Sequence, residues 1–184
     1  MIDAILNGLY PLRVPADRAA QYNIPGGWES ERLDAMRDHI GGGDRVFYVG
    51  AEQGEMGALC SAWGAEVALF EPTPTMWPRM EAMWEANGLP DPWTWPGFCS
   101  DEDQPVATVA SETYGVVEFM SAEFQRGWPA TYPIAGVHGF KELQFEAAMY
   151  PQIKLDTAAD IAGPPTVICF DVEGAEWSVL LGAM

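Results

Sequence analysis

The sequence predicts an α/β fold with an open, mostly parallel sheet, and three observations carry that prediction. Apolar strands alternate with helical patterns over residues 45–95. A glycine turn follows the first of these strands directly, in "RVFYVGAEQGEMGALCSAWG". Two apolar runs end on a single acid, "EVALFEP" at Glu71 and "TVICFDVEG" at Asp171. In such a sheet ligands bind at the carboxyl ends of the strands, which is where both acids fall.

The elements read in order as follows. Residues 1–28 are rich in turn formers and read as an extension with a loop at "IPGGW". "ESERLDAMRDHI" places Leu33, Met36 and Ile40 on one helical face with Ser30 as its cap, and "GGGD" ends it. These three glycines precede a strand and read as a helix stop, whereas "GAEQG" follows one and opens a helix of small residues. The stripe of Met76, Met80, Met83, Trp84 and Asn87 predicts a helix packed on the sheet and closed at Asn87-Gly88. "DPWTWPGFCS" reads as a third strand. Residues 101–152 read as a β-rich insertion or cap before the last strand, with "VATVAS" and "GVVEFMS" as strands, 126–139 as loop, and "KELQFEAAMY" as a short helix.

Composition narrows the function. At 184 residues, 48% hydrophobic and with 8 Trp and 9 Met, the chain supplies one domain with a sizeable core. Nine Lys+Arg against 27 Asp+Glu give a net charge of -18, which repels nucleic acid and anionic membrane surfaces. Cys60, Cys99 and Cys169 are odd in number and without C-x-x-C pairing, the pattern of a reduced, metal-free protein. No run approaches the ~18 apolar residues that span a bilayer. A cytoplasmic location is expected.

A strand, a glycine turn, a helix and then a strand ending in an acid about 20 residues on make the Rossmann arrangement, in which the acid accepts hydrogen bonds from ribose hydroxyls. Glu71 fits that role. Its motifs go further: "VFYVGAEQGEMGALCSAWGAEVALFEPTP", "MWEANGLP", "IKLDTAAD" and "VICFDVEGAEWSVLLGA" resemble the S-adenosylmethionine-dependent methyltransferases of the FkbM type. The resemblance covers about 45–89 and 153 to the end.

That resemblance implies a class I methyltransferase sheet of order 3-2-1-4, stopping before strands 5 to 7, and S-adenosylmethionine as cofactor. It places Gly50, Ala51, Glu52 and Gly54 against the cofactor, Glu71 on the ribose diol, and Ser100 and Asp101 near adenine. Asp171 falls near the sulfonium and the acceptor. Two positions depart from the family pattern: Tyr48 stands where an acid is usual and Cys169 where a lysine is common. Tyr48 can still hydrogen-bond the cofactor.

Methyl transfer to a hydroxyl needs a base, and Asp171, Glu173, Glu176 and His138 are available, with Asp171 first because it ends a strand. Those acids also suit a hard divalent metal, but such runs usually form a solvated turn, and no metal is expected. The expected activity is O-methylation of a small molecule or sugar, with Tyr114, Trp128, Tyr132 and Phe140 as a lid or a satellite core. Two other readings stand beside it: an inactive binding module of the same fold, favoured by Tyr48 and Cys169, and a nucleotide-dependent oxidoreductase. "TVICF" would be an edge strand although its composition suits a buried one, so residues 166–171 are expected to be covered by further chain or by a partner, most simply a second copy.

Overall fold

The computed structural model describes residues 1–22, 24–73, 76–101, 103, 106–111, 117–120, 131–132, 143–150, 152–172 and 175–184, with only strand pairing given between 106 and 150. Its centre is a parallel sheet of four strands, β3 (Arg45–Val49), β4 (Glu66–Phe70), β5 (Trp93–Trp95) and β12 (Val167–Phe170), in the order β12-β3-β4-β5. The result is a mixed α/β architecture compatible with a Rossmann-like fold, in the expected order 3-2-1-4.

Strand alternation distributes the core over both faces of this sheet. Val46, Tyr48, Val67 and Leu69 point to one side, where α1 (Ser30–His39), α2 (Glu55–Ala62) and α3 (Trp77–Asn87) bury Leu33, Met36, Leu59, Met80, Met83 and Trp84. Phe47, Val49, Ala68 and Phe70 point to the other, against Leu155 and Ala158 of α4 (Leu155–Ala162) and Val179 of α5 (Glu176–Leu181). Each large apolar side chain removed from water here stabilises the fold by about 1.5–3 kcal/mol. Gly88, at φ 62, ends α3 as its C-cap.

The amino terminus is more ordered than the turn-rich extension expected from its composition. Residues Ile2–Leu6 (β1) and Tyr10–Val14 (β2) form an antiparallel hairpin. Its turn is Asn7-Gly8-Leu9, with Asn7 at φ 51 and Gly8 at φ 71, and Leu6, Leu12 and Val14 enter the core beside α1 to α3. Asn87 of α3 fastens the hairpin by accepting from Arg13 N and donating to Arg13 O, each at 2.8 Å. Ser30 does not cap α1: Glu29 holds the cap position at φ 48, and the Ser30 hydroxyl donates to the Gly26 carbonyl instead.

Two further expectations are corrected. "DPWTWPGFCS" is two strands, because Pro96 removes a ladder donor and Gly97 turns the chain; β5 stays in the main sheet while β6 (Phe98–Ser100) pairs in parallel with β11 (Gln152–Lys154). "KELQFEAAMY" is not helical. Residues Leu143–Tyr150 form β10, paired with β7 (Val106–Ser111), which also pairs with β8 (Val117–Met120) as expected. The period-2 order of Leu143, Phe145, Ala147 and Met149 and the long ladder to β7 outweigh local helical preference. The loop expected over 126–139 contains a two-residue strand, β9 (Thr131–Tyr132), on the edge of β10. β12 pairs only with β3 among the described residues, and its four side chains are half-buried. Among the described residues it is one of the sheet's two outer strands, opposite β5.

Candidate functional site

At the carboxyl ends of β3 and β12 the chain forms a cleft of about 260 Å³. The turn Gly50–Gly54 makes one wall, and its geometry follows from its glycines. Gly50 has φ +78, and a Cβ there would lie 2.1 Å from the Asp171 carbonyl oxygen, so the β3 and β12 ends approach this closely only with no side chain between them. Gly54, at φ +87, starts α2 with equally little room: a Cβ would meet Met80 Cγ at 2.7 Å. The Gly50 and Ala51 amides donate to the Phe70 carbonyl at 2.9 and 3.0 Å, which ties the turn to the end of β4.

Glu71 lies behind this turn and is 5% exposed. One carboxylate oxygen accepts the Glu52 amide and the other the Thr73 amide, both at 2.8 Å. Burial raises its pKa above the ordinary value, and hydrogen bonds from the Thr73 side chain and from the Thr73 and Glu52 amides oppose that shift. A carboxylate has about four lone-pair positions, so about one acceptor site is left after these bonds. The side chain both braces the turn and keeps capacity for a ligand.

The opposite wall comes from the amino-terminal segment. Arg32, on the first turn of α1, donates from Nη1 to Asp171 Oδ2 at 2.7 Å and from Nη2 to the Tyr48 hydroxyl at 2.6 Å. Its guanidinium also lies over the Tyr48 ring, 5.6 Å from the centroid. Arg18 donates from Nε to Glu55 Oε1 at 3.0 Å and has Glu52 at 3.7 Å. The Tyr22 hydroxyl donates to the same Glu55 oxygen. Burial and the neighbouring Glu55 charge push the Tyr22 pKa up, and burial does the same for Tyr48, so both phenols stay protonated.

The expected site residues thus separate into three groups. Tyr48, Gly50, Ala51, Glu52 and Asp171 line the cleft, with Gly54 and Glu71 directly behind it. Ser100 and Asp101 sit at the end of β6, hydrogen-bonded to each other at 2.9 Å, and are not among the lining residues. Glu173, His138, Tyr114, Trp128 and Phe140 lie outside the described residues, as does the side chain of Tyr132. Arg18, Glu55 and Arg32 were missed by sequence reasoning. The signal for Arg32 was its place on the polar face of α1, but nothing local shows that this face meets two strand ends.

Among the described residues no group of three or more His, Cys, Asp or Glu could hold a metal ion, and no helix is long and apolar enough to cross a membrane. A second cleft, of about 400 Å³, lies at the amino ends of the strands around Arg45, Glu66 and Trp93. Its glycine, Gly64, precedes a strand and its acid, Glu66, begins one, whereas ligands of such sheets bind at the carboxyl ends, so the smaller cleft is the candidate site. Fold and site together define a mixed α/β protein with a parallel central sheet and a cleft at its carboxyl edge. No family model matches the chain, and no curated protein matches it.

Proposed function

We propose that the cleft binds S-adenosylmethionine and that the chain is an FkbM-type O-methyltransferase acting on a hydroxyl of a small molecule or sugar. The observation that carries this reading is the sequence β3, glycine turn, α2, β4 and Glu71, with Gly50 and Asp171 brought into backbone contact at the cleft. Gln53 Oε1, in the same turn though not on the cleft lining, is shielded from solvent without a hydrogen-bond partner among the described residues. Glu71 accepts the ribose diol through its remaining acceptor capacity, and Gly50 to Gly54 let the backbone approach. Ser100 and Asp101 contribute to the adenine side.

When bound, S-adenosylmethionine supplies an electrophilic methyl group. The protein aligns the acceptor oxygen with it, and positioning of this kind supplies most of the rate in an in-line displacement. Asp171 takes the acceptor proton, with Glu173 and His138 as the other bases the sequence offers. Arg32 fixes the Asp171 carboxylate in direction. A second reading, an inactive cofactor-binding module, is favoured by one observation: Tyr48 stands in place of an acid and hands its hydroxyl to Arg32.

Calorimetry with S-adenosylmethionine and with NAD tests the cofactor. Heat from S-adenosylmethionine alone is expected; binding of NAD alone, or of neither, overturns the reading. Transfer of labelled methyl to a panel of hydroxylated acceptors then separates the enzyme from the inactive module.

A further inference from the structure

The cleft wall contributed by the amino-terminal segment is unusual for this chain. Only 9 Lys+Arg stand against 27 Asp+Glu in the whole sequence, yet two of the arginines, Arg18 and Arg32, line this one cleft. Their side chains are 13% and 25% exposed, against 55% for Arg13 at the hairpin surface. They share the lining with four acids, Glu29, Glu52, Glu55 and Asp171. A lining that holds both charges can meet both ends of a zwitterion.

Tyr48 decides which charge faces the end of β3. A carboxylate at that position would neutralise Arg32 in a closed ion pair. The phenol is neutral, so it accepts a hydrogen bond without adding a further negative charge beside the Arg32 ion pairs with Asp171 at 2.7 Å and the exposed Glu29 at 3.8 Å. Arg32 donates one N–H to Asp171 and one to Tyr48. A guanidinium carries five such donors, and among the described residues two of them make hydrogen bonds, so the group keeps donor capacity for a carboxylate.

Resting on the reading that the cleft binds S-adenosylmethionine, we propose that Arg32, supported by Arg18, anchors the carboxylate of the cofactor's amino-acid tail, and that Glu29 and Glu52 receive its ammonium. The charge at the end of β3 is thereby reversed relative to the family pattern, and recognition of the tail passes from a strand residue to the first turn of α1. The structural alternative is that Arg32 only ties α1 to the strand ends.

The test compares S-adenosylhomocysteine with 5′-methylthioadenosine, which share the adenosine and the thioether and differ in the amino-acid tail. Affinities are measured by calorimetry for the wild type, Arg32→Met and Arg32→Lys. Arg32→Met is expected to weaken S-adenosylhomocysteine roughly tenfold to a hundredfold, as loss of a charge-assisted hydrogen bond does, and to leave 5′-methylthioadenosine within about twofold. Arg32→Lys should restore part of the difference. Equal weakening of both ligands, or no weakening, overturns the tail assignment while leaving the cofactor reading in place. A wild type that binds neither ligand overturns the cofactor reading and the assignment with it.

Discussion

Arg32 and Asp171 are 139 positions apart in sequence, and their side chains meet at 2.7 Å across the mouth of the cleft. One is on the first turn of α1 and the other ends β12, so the contact joins the amino-terminal segment to an outer strand of the sheet. The pair is partly exposed, at 25% and 54%, and solvent screening limits what it adds to stability. Its value is positional. Asp171→Asn is predicted to change the unfolding free energy by less than ~1 kcal/mol in urea, while abolishing or strongly reducing the proposed methyl transfer. Loss of the fold in that variant would show the pair to be structural.

Gly50→Ala is predicted to be among the most damaging single substitutions. The added Cβ meets the Asp171 carbonyl oxygen at 2.1 Å, and φ +78 is strained for any L side chain. Positive φ at a non-glycine residue costs of order 1–3 kcal/mol by itself, and the backbone collision adds to it. Thermal unfolding should show a large loss; an unchanged melting temperature would mean that β3 and β12 do not approach as described.

Glu71→Ala leaves the Glu52 and Thr73 amides without their acceptor. Stability should fall by about 1–3 kcal/mol, the range for groups left unsatisfied on burial, and cofactor affinity by roughly 1.5–3 kcal/mol. Equal affinity in wild type and variant would remove Glu71 from the proposed ribose site.

The same carboxyl predicts a pH dependence. Its folded pKa lies above 4.5, its value in the unfolded chain, so the folded state holds this proton more tightly. That contribution is fully present below the unfolded value and is lost as pH rises through the folded one. Wild type should therefore lose stability relative to Glu71→Gln between acid and neutral pH in paired urea titrations. A constant difference, or one of opposite sign, contradicts a carboxyl held by burial.

Much of the sheet was legible because it is written locally. Val46 to Val49 and Val67 to Phe70 are continuous apolar runs, and Gly50 and Glu71 mark their ends. The hairpin was not legible, although Asn7-Gly8 between two apolar segments is a turn signal, because the turn-rich composition of residues 1–28 reads as an extension. β10 was not, because Leu143–Tyr150 has mixed local preference and owes its strand to β7. The Arg32, Tyr48 and Asp171 meeting could not be read at all: it depends on how α1 crosses the sheet, which no local spacing encodes.

Thiol chemistry offers an independent check on the core. Burial raises the pKa of all three cysteines, that of Cys99 to about 12, and Cys60 and Cys99 are fully enclosed. Since the thiolate is the reactive form, neither should be alkylated at pH 8 without denaturant, and Cys169 should react slowly. Rapid labelling of Cys60 would contradict its place between α2 and the sheet.

Nuclear magnetic resonance shift mapping with S-adenosylhomocysteine tests the central claim most directly, because it locates the ligand without requiring turnover. Perturbed amides are predicted at Tyr48 to Gly54, Glu71 and Asp171, with Arg18 and Arg32 following on the amino-terminal wall. Shifts confined to Arg45, Gly64, Glu66 and Trp93 around the opposite cleft, or no shifts at all, would contradict it.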